Sequence, residues 1–320
     1  MGFICGNLRV LLAARRRGVS FRKTILIGRQ QIFLRPREIR GLAREFPEFK
    51  EQLLSYSPSF GEFSEFWLKT CLGCEDVDSV DASDFEGATI VHDMNIEIEH
   101  SNVYKRVVGG YDAVIDSGSL EHIFNVPVAL KNCMKLVKPG GFLCLASVTN
   151  NYCGHGFYQF SPELYFRTLQ PENGFDDLEV LLLCHPYPGV ELSRWQKIYQ
   201  VKDPILVGNR VGLVTRHPVM IIASAIRRSD AGLLDEIFKA LPQQSDYQKR
   251  WDQESLIIPD INSHTLLRYS AAGQVRRVIG YLFQKLKSRL PSDWQQSLTG
   301  MEQRRAYSFH NRKHFTVWKP

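Results

Sequence analysis

The chain has 320 residues, 44% of them hydrophobic and 23% charged, and carries a formal net charge of +6. That is enough apolar material for one large or two smaller globular domains, and no apolar run approaches the roughly 18 residues of a membrane-spanning helix. Lys and Arg dominate residues 9–44 and 276–319 while Glu45 to Glu121 is acidic; with no Lys/Arg block interleaved with aromatics, this reads as solvated helix faces and argues against a nucleic-acid partner.

The N-terminus, "MGFICGNLRVLLAARRR", has its basic residues after the apolar stretch instead of before it, which is the wrong order for a secretory signal. Gly6 stands where a myristoylation signal has Ser or Thr. Residues 6–16 read as a short amphipathic helix packed on the domain. "TILIG" (24–28) is the first strand, and 36–54 is a helix with Pro36 in its first turn. "CLGC" (71–74) has metal or redox spacing, but no second pair or nearby His completes it, so no metal site is expected. The seven cysteines are odd in number and scattered, which suits buried thiols in a reducing, cytoplasmic setting.

"VDSVDAS" (77–83), "ATIVHDMN" (88–95) and "YDAVIDSG" (111–118) are the next three strands. A helix follows, with Leu130, Cys133, Met134 and Val137 at helical spacing, stopped by a turn at Pro139, Gly140 and Gly141. "FLCLAS" (142–147) is a fifth strand, 161–169 a helix capped by Ser161, and 178–184 and 218–226 are two more strands. Strand and helix in alternation give an α/β fold, a doubly wound sheet of about seven strands covered on both faces. Ligands bind such sheets beyond the carboxyl ends of the strands, at the switch point. The domain plan is an N-terminal helix (1–20), the sheet domain (21–227) and a mostly helical extension (228–320). Within that extension 275–290 is a basic amphipathic helix, giving at most peripheral membrane contact.

"YDAVIDSGSLEHI" followed by "ALKNCMKLVKPGGFLCLAS" resembles the fourth strand, following helix and fifth strand of class I S-adenosylmethionine (SAM)-dependent methyltransferases. The resemblance covers roughly 20–226 and is most specific over 111–147. It implies a Rossmann-like methyltransferase sheet with its last strand antiparallel, and SAM as cofactor. It also implies that Asp81 takes the ribose hydroxyls, that Asp93 contacts the adenine amine with Met94 as an apolar wall, and that Asp116 and Ser117 edge the methionine moiety. The family's first strand ends in an acid and a Gly-x-Gly loop; here Gly28 matches the first glycine, while Leu26 and Gln30 replace the acid and the second glycine. Either a wider loop serves, with Arg29 or Gln30 reaching the methionine carboxylate, or SAM binding has been lost. "LIGRQ", "GHGFYQFSPELYF" and "PQQSDY" are similar to a bacterial subgroup associated with glycan and surface-polysaccharide biosynthesis.

Methyl transfer needs nucleophile and methyl held in line, and a hydroxyl nucleophile gains from a general base. His155, in the aromatic loop after the fifth strand, is the first candidate for that base and His122 the second. Asn150, Tyr158 and Gln159 are placed to orient a polar acceptor such as a sugar or polyol. Cys153 has no partner marked in the sequence and reads as an ordinary thiol. The leading reading is a methyltransferase acting at oxygen on a small or glycan-type acceptor. The alternatives are a non-catalytic methyltransferase-like binding or scaffold protein and, below it, an RNA methyltransferase. A nicotinamide dehydrogenase is set aside, since no G-x-G-x-x-G follows any strand.

Overall fold

The computed structural model describes residues 2–184, 196–207, 211–228 and 307–320. Most of the extension 228–320, including 275–290 and "PQQSDY", lies outside the described residues. Met1–Asp203, Thr215–Leu241 and Phe315–Pro320 make one compact unit, and Pro204–Val214 with Pro242–His314 a second. In the second unit the described residues include the short helix Pro204–Val207, and the Val214 N–H donates to the Tyr307 carbonyl at 2.8 Å.

The first unit is built on one mixed nine-stranded sheet. Its strands are β1 (Lys23–Ile27), β2 (Asp76–Asp81), β3 (Ile90–Val91), β4 (Tyr111–Ser117), β5 (Val137–Asn150), β6 (Phe175–Cys184), β7 (Lys197–Val201), β8 (Val219–Arg227) and β9 (Phe315–Val317). The order across the sheet is β3-β2-β1-β4-β5-β8-β6-β7-β9. The first five strands run parallel, and β8 lies antiparallel between β5 and β6. The chain therefore winds outward from β1 to β3, then returns to start again at β4. The crevice between β1 and β4 is the switch point, where a doubly wound sheet holds its ligand.

The sheet is larger than the seven strands expected. The added strands, β7 and β9, pair with each other at the edge beyond β6. Tyr199 to Val201 face Val317 to Phe315, and the Trp318 indole donates to Glu179 at 2.9 Å, which anchors the chain end to β6. Three further short strands, Gly2–Ile4, Gln31–Phe33 and Glu62–Phe63, form a separate small sheet.

Three other expectations are corrected. The helix expected over 36–54 divides into α1 (Pro36–Glu45), a 3-10 turn (Pro47–Phe49) and α2 (Lys50–Ser55). Pro47 is the cause: its ring pushes the preceding residue out of helical space, and Phe46 sits at φ −124°, ψ 72°. The strand expected over 88–95 shrinks to Ile90–Val91, because Asp93 and Asn95 turn the chain. The Asp93 carboxylate accepts the Asn95 N–H at 2.9 Å and its amide at 2.8 Å. The turn at 139–141 is absorbed as a bulge. Tyr111 pairs with Val137 but Ala113 with Phe142, so residues 138–141 loop out opposite Asp112. A side chain at Gly141 would start 2.9 Å from the Lys138 carbonyl and 3.0 Å from that of Asp112, which is why glycine stands there.

The N-terminal helix, Cys5–Arg16, is buried along nearly its whole circumference from Cys5 to Ala14 and is not amphipathic as expected. Its polar residues are matched inside: Asn7 donates to Ser117 Oγ at 3.2 Å, and Arg9 grips Glu45 through two bonds of 2.6 and 2.7 Å. One face of the sheet contributes Leu26, Ala113, Ile115, Phe142, Ala146 and Val148 to the core shared with this helix and α1. Period-two alternation sends Ile25, Ile27, Val114 and Leu145 to the opposite face, equally buried. The helix Val126–Leu136 crosses between β4 and β5. Among the described residues no helix is long and apolar enough to cross a membrane.

Candidate functional site

The register aligns the strand ends. Ile27 pairs with Val80 on one side and Asp116 on the other, and Asp116 pairs with Leu145. The row beyond holds Gly28, Asp81, Ser117 and Ala146, so residues distant in the sequence meet along one rim of the sheet. Gly28 turns the chain there at φ +71°, and its N–H donates to the Val80 carbonyl at 2.7 Å.

Each candidate near β1 has definite partners. Gln30 is fully buried; its amide nitrogen donates to the Ile27 carbonyl at 2.6 Å and lies 3.2 Å from Ser119 Oγ. Its amide oxygen is buried and has no hydrogen-bond partner among the described residues. Arg29 is held by Glu65 at 2.6 Å and the Glu86 carbonyl at 2.6 Å, with its guanidinium 3.9 Å over the Phe63 ring. Those contacts commit it to bracing the loop after β2.

The acids differ sharply in setting. Asp81 ends β2, half-buried, with Oδ1 accepting the N–H of Ala82 at 2.7 Å. Asp93 is exposed, and the two bonds from Asn95 hold its carboxyl below the ordinary range. Met94, next to it, is buried, and its carbonyl accepts from Asn132 at 3.4 Å. Asp116 is fully buried and accepts the N–H groups of Ser119 at 2.9 Å and Leu120 at 3.4 Å. Burial first, and then the charge of Glu121, push its carboxyl well above the usual carboxylate range. Ser117 points to the other face, donating to the Gly2 carbonyl at 3.1 Å.

Beyond β4 and β5 a second group assembles. After Ser117 the chain makes a 3-10 turn, Leu120–His122, which buries Glu121 to 1% exposure. Ser147, the residue after Ala146 on β5, donates to Glu121 Oε2 at 2.7 Å. The other oxygen, Oε1, lies 3.8 Å from His155 Nε2. Desolvation raises the Glu121 pKa, and partial burial lowers that of His122. The His122 and His155 rings meet edge-on at 5.1 Å, and Tyr152 packs on His155 at 5.6 Å. The donor atoms of Glu121, His122 and His155 all lie within 4.8 Å of one another.

The loop that carries His155 is tied down through the same glutamate. The N–H groups of Phe157 and Tyr158 donate to the Glu121 carbonyl at 2.7 and 3.3 Å. Tyr158 donates its hydroxyl to the Phe124 carbonyl at 2.6 Å, and Gln159 accepts the Tyr152 N–H at 3.0 Å. Asn150 donates to Thr215 Oγ1 at 3.3 Å. Tyr158, Gln159 and Asn150 thus shape the loop through these bonds. Phe124 and Phe157 stand exposed beside it, their rings 5.6 Å apart and edge-on. The structure therefore brings His122 and His155 together, as two of the candidates, and adds Glu121, to which the sequence attached no role. The signal for Glu121 is its place in "SLEHI", directly before His122 in the stretch where the resemblance is most specific.

No protein-family model matches the chain, and no curated protein matches it. Among solved structures it is similar to a SAM-dependent methyltransferase of Thermotoga maritima described as a possible histamine N-methyltransferase. That match has 13% identity, covers 69% of this chain and 89% of the other, and has a TM-score of 0.34. A SAM-dependent methyltransferase of Archaeoglobus fulgidus is similar at 13% identity, over 69% of this chain and 94% of that one, with a TM-score of 0.34. An arsenic(III) SAM methyltransferase of Chlamydomonas reinhardtii is similar at 12% identity, over 72% and 76%, with a TM-score of 0.35.

Proposed function

We propose that the protein is a SAM-dependent methyltransferase that methylates a hydroxyl of a small or glycan-type acceptor. The observation that carries the reading is the rim itself: Gly28 and Asp81 follow the paired Ile27 and Val80 at the switch point, and Glu121 and His155 follow the next two strands, β4 and β5, on the same edge. Asp81 offers a carboxylate for a ribose diol, and Met94 an apolar wall. SAM supplies an electrophilic methyl on a sulfonium. The chain's own residues hold the cofactor's polar ends, position the acceptor hydroxyl near His155 and take up its proton there, with Glu121 and Ser147 orienting the imidazole. Exposed Phe124 and Phe157 suit the apolar face of a sugar ring.

A second reading is favoured by one specific observation. The Gln30 side chain fills the loop where the resembling family keeps glycine, and it is bonded to Ile27 and Ser119. A chain so plugged would bind no methyl donor and would act as a binding or scaffold protein. Titration calorimetry with SAM and with its demethylated product decides between the two. The enzyme reading expects binding that Asp81→Ala weakens at least tenfold; absence of binding to folded protein at millimolar cofactor would favour the scaffold.

A further inference from the structure

We infer that Glu121, His122 and His155 form a binding site for one divalent transition-metal ion, and that Zn²⁺ is the ion the donor set suits best. The three donor atoms, two imidazole nitrogens and a carboxylate oxygen, already lie within 4.8 Å of one another. Metal–ligand bonds of about 2.0–2.2 Å place tetrahedral ligand atoms roughly 3.3 Å apart. Small rotations of two exposed histidine side chains close that difference.

The carboxylate is supported as a ligand would be. Ser147 Oγ binds Oε2 of Glu121, fixing the group's orientation and leaving Oε1 turned toward His155. Hydrogen-bonded support of this kind around a ligand sets its geometry and affinity. The histidines are held by the same residue. His122 follows it in the chain, and His155 rides on the loop whose Phe157 and Tyr158 N–H groups bond its carbonyl. An acid buried to 1% exposure is costly without a counter-charge. Among the described residues the ionisable side chain given an ion-pair contact with it is His155.

Chemistry selects the ion. Mg²⁺ and Ca²⁺ take oxygen ligands, whereas two imidazoles and one carboxylate with positions left open are used by catalytic Zn²⁺ and by non-haem Fe²⁺; methyl transfer to a hydroxyl involves no redox step, which favours redox-inert Zn²⁺. His155 is 47% exposed, so the open side faces solvent. This inference deepens the reading above at the acceptor end. With the ion in place His155 is a ligand, and a coordinated hydroxyl would release its proton to solvent water at the open side more readily, because the cation stabilises the alkoxide.

The test reads the ion directly and needs no methyl donor. Full-length protein is stripped with a chelator and titrated with Zn²⁺ by calorimetry, and with Co²⁺ by visible absorption. The expected result is one ion per chain, with affinity reduced about a hundredfold or more in His122→Ala and in His155→Ala. Ser147→Ala is expected to lose on the order of tenfold, as for a group supporting a ligand. Cys153→Ser should bind as the unaltered protein does. Both histidines are exposed, and circular dichroism checks that the variants stay folded. No saturable binding at one ion per chain, or binding that survives both histidine substitutions, would overturn the inference. A protein that binds Zn²⁺ but not SAM would uphold this site and sink the methyl-transfer reading; the reverse result would leave His155 as a free base.

Discussion

Gln30 Nε2 lies 2.6 Å from the Ile27 carbonyl and 3.2 Å from Ser119 Oγ, so one side chain stitches the end of β1 to the turn that follows β4. Ser119 Oγ donates to the same Ile27 carbonyl at 2.6 Å, closing a three-residue network in the crevice. Gln30→Ala removes an amide from a site with no access to water. It should cost about 1–3 kcal/mol, the usual penalty for leaving buried polar partners unmatched. Urea unfolding of the two proteins measures it; equal midpoints would mean that the network contributes nothing.

This network marks the limit of what the sequence discloses. The strands 142–147, 178–184 and 218–226 are legible because they are largely apolar runs, the mark of strands covered on both faces. Ser161 and Pro162 give away their helix start, and the Ser161 hydroxyl does accept the Glu163 N–H at 3.2 Å. Lys197–Val201 is a short strand and Phe315–Val317 the short strand at the sheet edge beyond it. The first pairs with Phe175–Cys184 nearby in the chain, but what makes Phe315–Val317 a strand is Lys197–Val201, over a hundred residues away, and no local pattern carries that. The site divides the same way. His122 and His155 stand out singly by their chemistry, but their meeting depends on a loop bonded to the Glu121 carbonyl. Asp116 is visible as an acid at a strand end; that its carboxylate bonds Ser119 and Leu120 is not.

Acid should unpick the bulge in β5. Burial alone would raise the Asp112 carboxyl, but hydrogen bonds from Lys138, the Lys23 N–H and Ser20 outweigh it and hold the carboxyl below its ordinary value. A carboxyl lowered on folding adds stability that is complete above the unfolded value, near 3.9. That stability is lost as pH falls through the lower folded value. Asp112→Asn should therefore cost on the order of 1 kcal/mol at pH 7, modest because Lys138 is partly exposed. The gap to the unaltered protein should close below pH 4. A gap that stays constant from pH 7 to pH 3 would rule out the carboxylate as its source.

Arg9 brings a charge into the core of the first unit. It pairs twice with Glu45, donates to the Gln196 carbonyl at 3.1 Å and lies 5.6 Å over the Trp318 ring. Breaking a buried pair from one side strands the other charge, at about 3–5 kcal/mol. Glu45 keeps 18% exposure, which places Arg9→Met toward the lower end of that range. Adding Glu45→Leu to Arg9→Met should recover most of the loss, because no charge is then left alone. Chemical unfolding of both variants separates the cases: a double variant no better than the single would mean that the hydrogen bond to Gln196, not the ion pair, holds the helix.

Two glycines in the His155 loop offer a controlled comparison. Gly154 and Gly156 both have positive φ, +82° and +73°. A side chain at Gly154 would meet nothing within 4 Å, whereas one at Gly156 would start 2.6 Å from the Glu121 carbonyl oxygen. Both alanine variants bear the left-handed backbone strain, about 1–2 kcal/mol; Gly156→Ala alone must also push the loop off Glu121. Hydrogen exchange at Phe157 and Tyr158, whose N–H groups bond that carbonyl, should rise tenfold or more in Gly156→Ala and little in Gly154→Ala. Zn²⁺ affinity should fall in the same order, since the loop that opens is the one that presents His155. Equal exchange in the two variants would show that strain, and not the contact with Glu121, governs the loop. The anchoring assigned to the Glu121 carbonyl would then have to be withdrawn.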